Sequence, residues 1–282
     1  MPTLTQQRTG YATLTEKSFN RFRDYIVREL GIKMPLGKLP MLQSRLQRKL
    51  RQSGFGSIEA YQDYLFELPE SAPEWLEFIN LVTTNKTDFF REPKHFDYLV
   101  RTALPSMSNG DAWLAKVWCA GCSSGEEPYT LAMVLANYAT PGFDFSILAT
   151  DVSTNVLEHA AQAIYEETKV APVPAEFRQR YLMRSKERTR ALVRIVPELR
   201  EKVRFKRLNF MAPDYGIRDT FDIIFFRNVM IYFDRPTQQQ VLTKLCQQLR
   251  PGGYLFVGHS ESLVGYNLPV TQVTNAAFRK TR

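Results

Sequence analysis

Apolar positions in the first third of the chain recur at the three-and-four spacing of a one-sided helix. In residues 16–30, EKSFNRFRDYIVREL, Phe19, Phe22, Ile26 and Leu30 share one face. Leu39, Leu42, Leu46 and Leu50 repeat the pattern in LPMLQSRLQRKL. Ser57 is placed to cap a third helix carrying Ile58, Tyr61 and Leu65. Ser71-Ala72-Pro73-Glu74 reads as a capping box ahead of Trp75, Phe78, Ile79 and Val82. Single-faced helices with no strand between them predict a small helical bundle over residues 1–82.

The period lapses in TTNKTDFFREP, residues 83–93, and Pro93 then opens a helix carrying Phe96, Leu99, Val100 and Leu104. We read this as a joint between domains. From about residue 116 strands and helices alternate. KVWCA and FSILAT are strands, each followed by a helix; Pro128 suits the first turn of one, and Ser153 is placed to cap the next. VRFKRLNF and FDIIFFRNV give two more strands. A helix with Val241, Leu245 and Leu249 passes through the turn Pro251-Gly252-Gly253 into YLFVGHS. Such alternation predicts a parallel, doubly wound α/β sheet over residues 83–282. Two stretches depart from it: a charged antiparallel insertion at about 181–206, and VTQVTNAAFRK, read as one antiparallel edge strand.

Composition narrows the class. The 282 residues are 44% hydrophobic, enough for one large domain and one small one, and the sequence shows neither a membrane-spanning apolar run nor a signal-peptide pattern. A cytoplasmic protein is expected. Three cysteines make no disulfide framework. The net charge of +8 calls for an acidic partner, whether nucleic acid, anionic membrane or protein.

Ligands of open α/β sheets sit beyond the carboxyl ends of the strands, so the loop in VWCAGCSSGEE comes first. Cys119 falls within a strand and Cys246 within a distant helix, which argues against a redox or metal clip. Gly121 and Gly125 let backbone approach a ligand, but a dinucleotide fingerprint would need a third glycine, and Glu126 and Glu127 would repel pyrophosphate. The loop is a structural turn or a site for a cationic nucleoside such as S-adenosylmethionine. Asp151, ending the second strand, is either a helix cap or the acceptor of two ribose hydroxyls. His95, His159 and His259 lie far apart in sequence and show no metal-ligand spacing.

Four longer motifs settle the comparison. NKTDFFRE (residues 85–92), CSSGEEPYTLAM (122–133), ATDVS (149–153) and FRNVMIYFD (226–234), in this order, resemble the CheR family of chemotaxis receptor glutamate methyltransferases. The resemblance spans residues 15 to 280. It implies a doubly wound, Rossmann-like S-adenosylmethionine methyltransferase sheet behind an all-helical N-terminal domain. It implies methyl transfer to glutamates on the cytoplasmic helical bundle of chemoreceptors, leaving S-adenosylhomocysteine and using no metal. Carried over by motif, Asn85, Thr87, Arg91, Gly121, Glu126, Asp151, Asn209, Phe210, Arg227 and Asn228 line the cofactor site, and Arg91 and Tyr232 serve catalysis.

The resemblance also gives the basic second helix a purpose. Lys38, Arg45, Arg48, Lys49 and Arg51 are expected to dock an acidic receptor helix. The insertion's loop, RSKERTRAL, is charged and lacks glycine, so a receptor peptide is not expected to tether there. A nucleic-acid methyltransferase would place an Asn/Asp-Pro-Pro-aromatic motif where RNVMIYFD stands, and a nicotinamide dehydrogenase would need the missing glycine. A binding module that had lost catalysis would lack several of the named residues. The expectation is therefore a monomeric enzyme with no nucleic-acid partner, recruited from the cytoplasm to membrane receptor arrays.

Overall fold

The hydroxyl of Thr15 accepts the Ser18 N–H at 3.2 Å and starts helix α1 (Glu16–Leu30), which Gly31 stops at φ 66°. The computed structural model describes residues 13–108, 111–138, 140–187 and 190–281. They divide into two compact units, one ending at Thr83 and the other beginning at Thr84. The first continues with α2 (Leu39–Ser53), α3 (Ile58–Glu67) and α4 (Pro73–Val82). Ser57 caps α3 as expected, accepting from Ala60 N–H at 3.0 Å. Ser71 does not cap α4; Ala72 holds that place, and Pro73 at the first turn sets the helix start without a side-chain bond.

The predicted stripes meet in the core of this unit. Phe22 stacks on Phe78 with ring centroids 5.1 Å apart, and Tyr25 on Trp75 at 3.9 Å. Burying each such ring contributes ~2–3 kcal/mol.

The second unit opens with α5 (Lys94–Tyr98) and α6 (Leu104–Met107), joined by a π-helical turn, Leu99–Ala103. Pro105 has no N–H for the carbonyl four residues back, so the helix loosens there. Then follow β1 (Trp113–Ala120), α7 (Glu126–Tyr138), β2 (Phe143–Asp151) and α8 (Thr154–Gln162). Ser153 precedes α8 but forms no cap bond; its hydroxyl is buried without a partner among the described residues. Next come β3 (Ile164–Glu166), α9 (Ala175–Tyr181), β4 (Leu182–Arg184), β5 (Leu192–Ile195), α10 (Pro197–Arg200) and β6 (Val203–Arg207). The chain ends with β7 (Phe221–Phe226), α11 (Arg235–Gln248), β8 (Leu249–Val257), β9 (Val270–Thr274) and β10 (Ala277–Lys280).

The main sheet runs β6-β2-β1-β7-β8-β10-β9, with the first five strands parallel. β7 is buried along its whole length, as a strand covered on both faces must be. Three details differ from the sequence reading. VTQVTNAAFRK forms two strands, because Ala276 turns the chain at φ 60° and β10 inserts between β8 and β9. Pro251-Gly252-Gly253 belongs to β8, whose register with β7 shifts where a Gly253 side chain would meet the Asp222 carbonyl at 2.7 Å. The small antiparallel sheet, β3-β5-β4, begins at Ile164, ahead of the expected insertion, whereas β6 within it pairs with β2. Arg188 and Thr189 of the charged loop lie outside the described residues. Among the described residues, no helix is long and apolar enough to cross a membrane.

Candidate functional site

Parallel pairing of β6, β2, β1 and β7 brings four strand ends, and the loops that leave them, to one edge of the sheet. After β1 the chain turns through Gly121 at φ 91°, Ser123 at 49° and Gly125 at 97°. The space freed by the two glycines is taken by the protein itself. A side chain at Gly121 would meet Val229 Cγ2 at 2.5 Å, and one at Gly125 would meet the Tyr165 hydroxyl at 2.6 Å and Ala160 Cβ at 2.8 Å. The glycines thus shape the loop from behind.

Asp151 fixes the front of this loop. Its Oδ2 accepts the Ser123 N–H at 2.9 Å and its Oδ1 the Ser153 N–H at 3.0 Å. Burial pushes its carboxyl above the usual range, although these backbone donors pull it back. The Ser123 hydroxyl donates to the Asn85 carbonyl at 2.9 Å, so the segment after Thr84 lies against the β1 loop. Two backbone donors leave acceptor positions on the Asp151 carboxylate.

The two glutamates that open α7 have separate fates. Glu126 is buried, accepts the Ser124 hydroxyl at 2.7 Å and lies 3.9 Å from Lys169 Nζ. Lys169, which the sequence did not single out, also donates to the Thr87 carbonyl at 3.1 Å and to Asp88 at 3.0 Å. Glu127 is neutralised by Arg227, whose Nε and Nη2 both lie 2.6 Å from Oε2. It also accepts a hydrogen bond from the Cys119 thiol at 3.2 Å. Glu127 thus sits in a close ion pair, whereas the cation beside Glu126, Lys169, stands off at 3.9 Å.

Arg227 is 1% exposed, and its groups are spoken for within the protein. Nη1 donates to the Arg91 carbonyl at 2.8 Å and approaches His95 Nδ1 at 2.9 Å, while Glu92 lies 3.5 Å away. It therefore acts on its surroundings by holding Arg91 and Glu92 in place. Arg91 is half-buried and donates to the Lys86 carbonyl at 3.2 Å. Burial would raise the Glu92 carboxyl, but the Arg227 charge with bonds from Asn228 and His259 outweighs it and holds the group below its ordinary value.

The loop after β7 carries Asn228 at φ 59° and a tight turn, Met230–Tyr232, with Tyr232 half-buried. Asn228 Nδ2 donates to Glu92 Oε1 at 3.4 Å. Phe90 and Glu92 also have positive φ, 53° and 55°. Four of the six non-glycine residues in this left-handed region, among the described residues, thus sit in the loops around the site. The fold brings His95 and His259 together, with ring centroids 4.6 Å apart and Glu92 beside them, although they are remote in sequence. With the Nδ1 lone pair directed at the Arg227 guanidinium, the other nitrogen of His95 carries the proton and offers no lone pair to a metal.

Asn209 and Phe210 follow β6. Asn209 Oδ1 accepts the Met211 N–H at 3.0 Å, and buried Phe210 packs edge-on against Phe226 at 5.2 Å. Cys119, Cys122 and Cys246 are free, buried thiols pushed up by burial. A cavity of about 570 Å³ between α9 and the small sheet is lined by Val170, Arg178, Leu182 and Arg184, and none of the expected site residues borders it. We assign the site to the strand ends, where buried carboxylates and strained loops converge.

Within the first unit the expected docking residues divide. Arg45 donates to the carbonyls of Leu81 at 3.1 Å and Thr83 at 2.8 Å, closing the end of α4. Lys49 pairs with Glu77, and Lys38 Nζ donates to the Lys33 carbonyl at 2.9 Å. Arg48 and Arg51 are exposed.

Residues 85–278 match the family described as CheR methyltransferase, SAM binding domain, and residues 17–83 match CheR methyltransferase, all-alpha domain. The chain is 40% identical over 258 residues to a chemotaxis protein methyltransferase of Escherichia coli K12, covering 91% of this chain and 88% of that one. It is 37% identical over 252 residues to chemotaxis protein methyltransferase 2 of Pseudomonas aeruginosa, covering 89% and 88%. With a chemotaxis protein methyltransferase of Borreliella burgdorferi the identity is 35% over 274 residues, 95% of each chain.

Proposed function

This chain belongs to the CheR family of S-adenosylmethionine-dependent methyltransferases, and on that premise we propose that it esterifies glutamate side chains of chemoreceptors. The observation that carries this reading is the match of both domains together with relatives bearing the chemotaxis name over nine-tenths of the chain. The donor set suits the cofactor: a buried Asp151 with acceptor capacity for hydroxyls, and a buried Glu126 suited to a cationic group.

S-adenosylmethionine supplies an electrophilic methyl group when bound. Asp151, Glu126, Asn85, Thr87, Asn209, Phe210 and Asn228 would hold it, with Gly121 shaping the loop. A glutamate side chain has a pKa of about 4.3 and is ionised at neutral pH, so the protein needs no general base. Its task is alignment and exclusion of water. Arg91 offers a two-pronged donor to a carboxylate, and Tyr232 a hydroxyl to orient the attacking oxygen. Arg227 positions Arg91 through its carbonyl. Exposed Arg48 and Arg51 favour a receptor helix docking on the helical unit, and no receptor peptide on the small sheet is invoked. The enzyme acts as a monomer recruited from the cytoplasm to receptor arrays.

Purified protein given methyl-labelled S-adenosylmethionine with a receptor cytoplasmic fragment or duplex DNA tests the reading. Base-labile label on the receptor is expected. Label confined to DNA, or absent from every receptor offered, overturns it.

A further inference from the structure

Glu261 lies outside the residues assigned above, yet its carboxylate ties the end of β8 to the loop that follows β7. It is 7% exposed. Its Oε2 accepts two backbone donors from separate segments, Gly258 N–H at 2.6 Å and Asn228 N–H at 2.8 Å. Oε1 has no donor in hydrogen-bond geometry among the described residues, and burial pushes the carboxyl up while the backbone donors pull it back. Two backbone donors, at residues 228 and 258, thus converge on one carboxylate oxygen.

The same turn reaches the other loop of the site. Glu261 N–H donates to the Gly258 carbonyl at 2.9 Å, and the His259 N–H donates to Glu92 Oε2 at 3.2 Å, next to Arg91. A side chain at Gly258 would displace this arrangement, because its Cβ would lie 2.4 Å from Asn228 Nδ2 and 3.0 Å from Glu261 Oε2. Asn228, strained at φ 59°, is therefore held through its N–H by Glu261 and through its side chain by Glu92.

We propose that Glu261 is a positioning residue for methyl transfer, fixing the Asn228–Tyr232 loop so that Tyr232 meets the attacking carboxylate. The inference rests on the reaction proposed above. It needs an acceptor at the Oε2 position, where both N–H groups point, which a glutamine oxygen retains and an apolar side chain lacks.

Glu261→Met in the full chain, which keeps the length and removes the acceptor, is the test, with hydrogen exchange of the amides in residues 227–232 and steady-state transfer to a receptor fragment as readouts. The expected result is amide exchange at least roughly tenfold faster in that segment alone, with the remaining peptides unchanged. The turnover number should fall by about tenfold or more while the KM for the receptor fragment moves less than about threefold, and Glu261→Gln should recover part of the loss. Exchange and turnover both within about twofold of wild type overturn the proposal, as does faster exchange spread evenly over the chain. If the methionine variant does not fold, Glu261→Asp, whose shorter side chain draws the oxygen away from both donors, is held to the same criteria, with an intermediate loss expected. A wild-type protein that methylates no receptor would defeat the proposed reaction, whereas the exchange readout would still decide whether Glu261 holds the loop.

Discussion

Arg227 and Glu127 meet at 2.6 Å across 100 residues of sequence, with the guanidinium only 1% exposed. The pair joins the end of β7 to the first turn of α7. Through Nη1 it also fixes the Arg91 carbonyl. Removing one partner strands a buried charge, and Glu127→Gln should lower unfolding free energy by about 3 kcal/mol, the low end of the range because Glu92 still compensates. Replacing both partners with apolar residues should cost less than the sum of the single changes. Denaturant unfolding of the three variants checks both statements.

Asp151 holds the β1 loop through Ser123 and, in the proposed site, the cofactor as well. Asp151→Asn retains shape but loses the charge and one acceptor. We expect S-adenosylhomocysteine affinity to fall by roughly ten- to hundredfold, as loss of charge-assisted hydrogen bonds would give. Calorimetry reads this directly; an affinity unchanged from wild type would remove Asp151 from the site.

Burial, reinforced by the Arg227 charge, pushes His95 down to about 4 from its ordinary 6.5. Between those values the unfolded chain binds a proton that the folded chain refuses. Stability contributed by neutral His95 is therefore full above pH 6.5 and is lost as pH falls toward 4, where the loss saturates. Allowing for solvent screening, the loss should approach about 2 kcal/mol, and His95→Gln should flatten that part of the stability profile. Unfolding titrations from pH 7 to 4 on both proteins provide the comparison.

Much of this architecture was legible because it follows from local rules. Phe19, Phe22, Ile26 and Leu30 announced a helix by spacing, and their burial followed. The alternation after residue 116 led to the five parallel strands. What stayed hidden was what depends on distant partners. Glu126 and Glu127 are neighbours with equal sequence weight, yet only the position of Arg227, 100 residues on, decides that one is neutralised. Gly125 looked like a place for ligand because nothing local reveals Tyr165 and Ala160 behind it. His95 and His259 come together only when α5 packs beside the end of β8. Glu261 could have been noticed, since a lone glutamate two residues past a histidine in GHSES invites a question, but one of its two donors, the Asn228 N–H, lies 33 residues away.

The basic helix separates two kinds of arginine. Arg48 is exposed, so Arg48→Glu should leave S-adenosylhomocysteine affinity unchanged while raising the receptor KM by roughly three- to tenfold. Arg45 caps the end of α4, so Arg45→Glu should instead lower the melting temperature of the protein by several degrees, corresponding to about 1–2 kcal/mol. Calorimetry, initial rates and thermal unfolding of the two variants separate these effects.

Phe90, Glu92, Ser123 and Asn228 all occupy a backbone region that glycine tolerates better. A chain selected for thermal endurance alone would drift toward glycine at such places. Side chains other than glycine find only a narrow basin there, so each strained residue also limits how far its loop can wander. Heat-hardening this enzyme by relieving those four positions would thus trade a sharper site for a softer one, and stabilising substitutions belong instead on the helical unit and the outer face of the sheet.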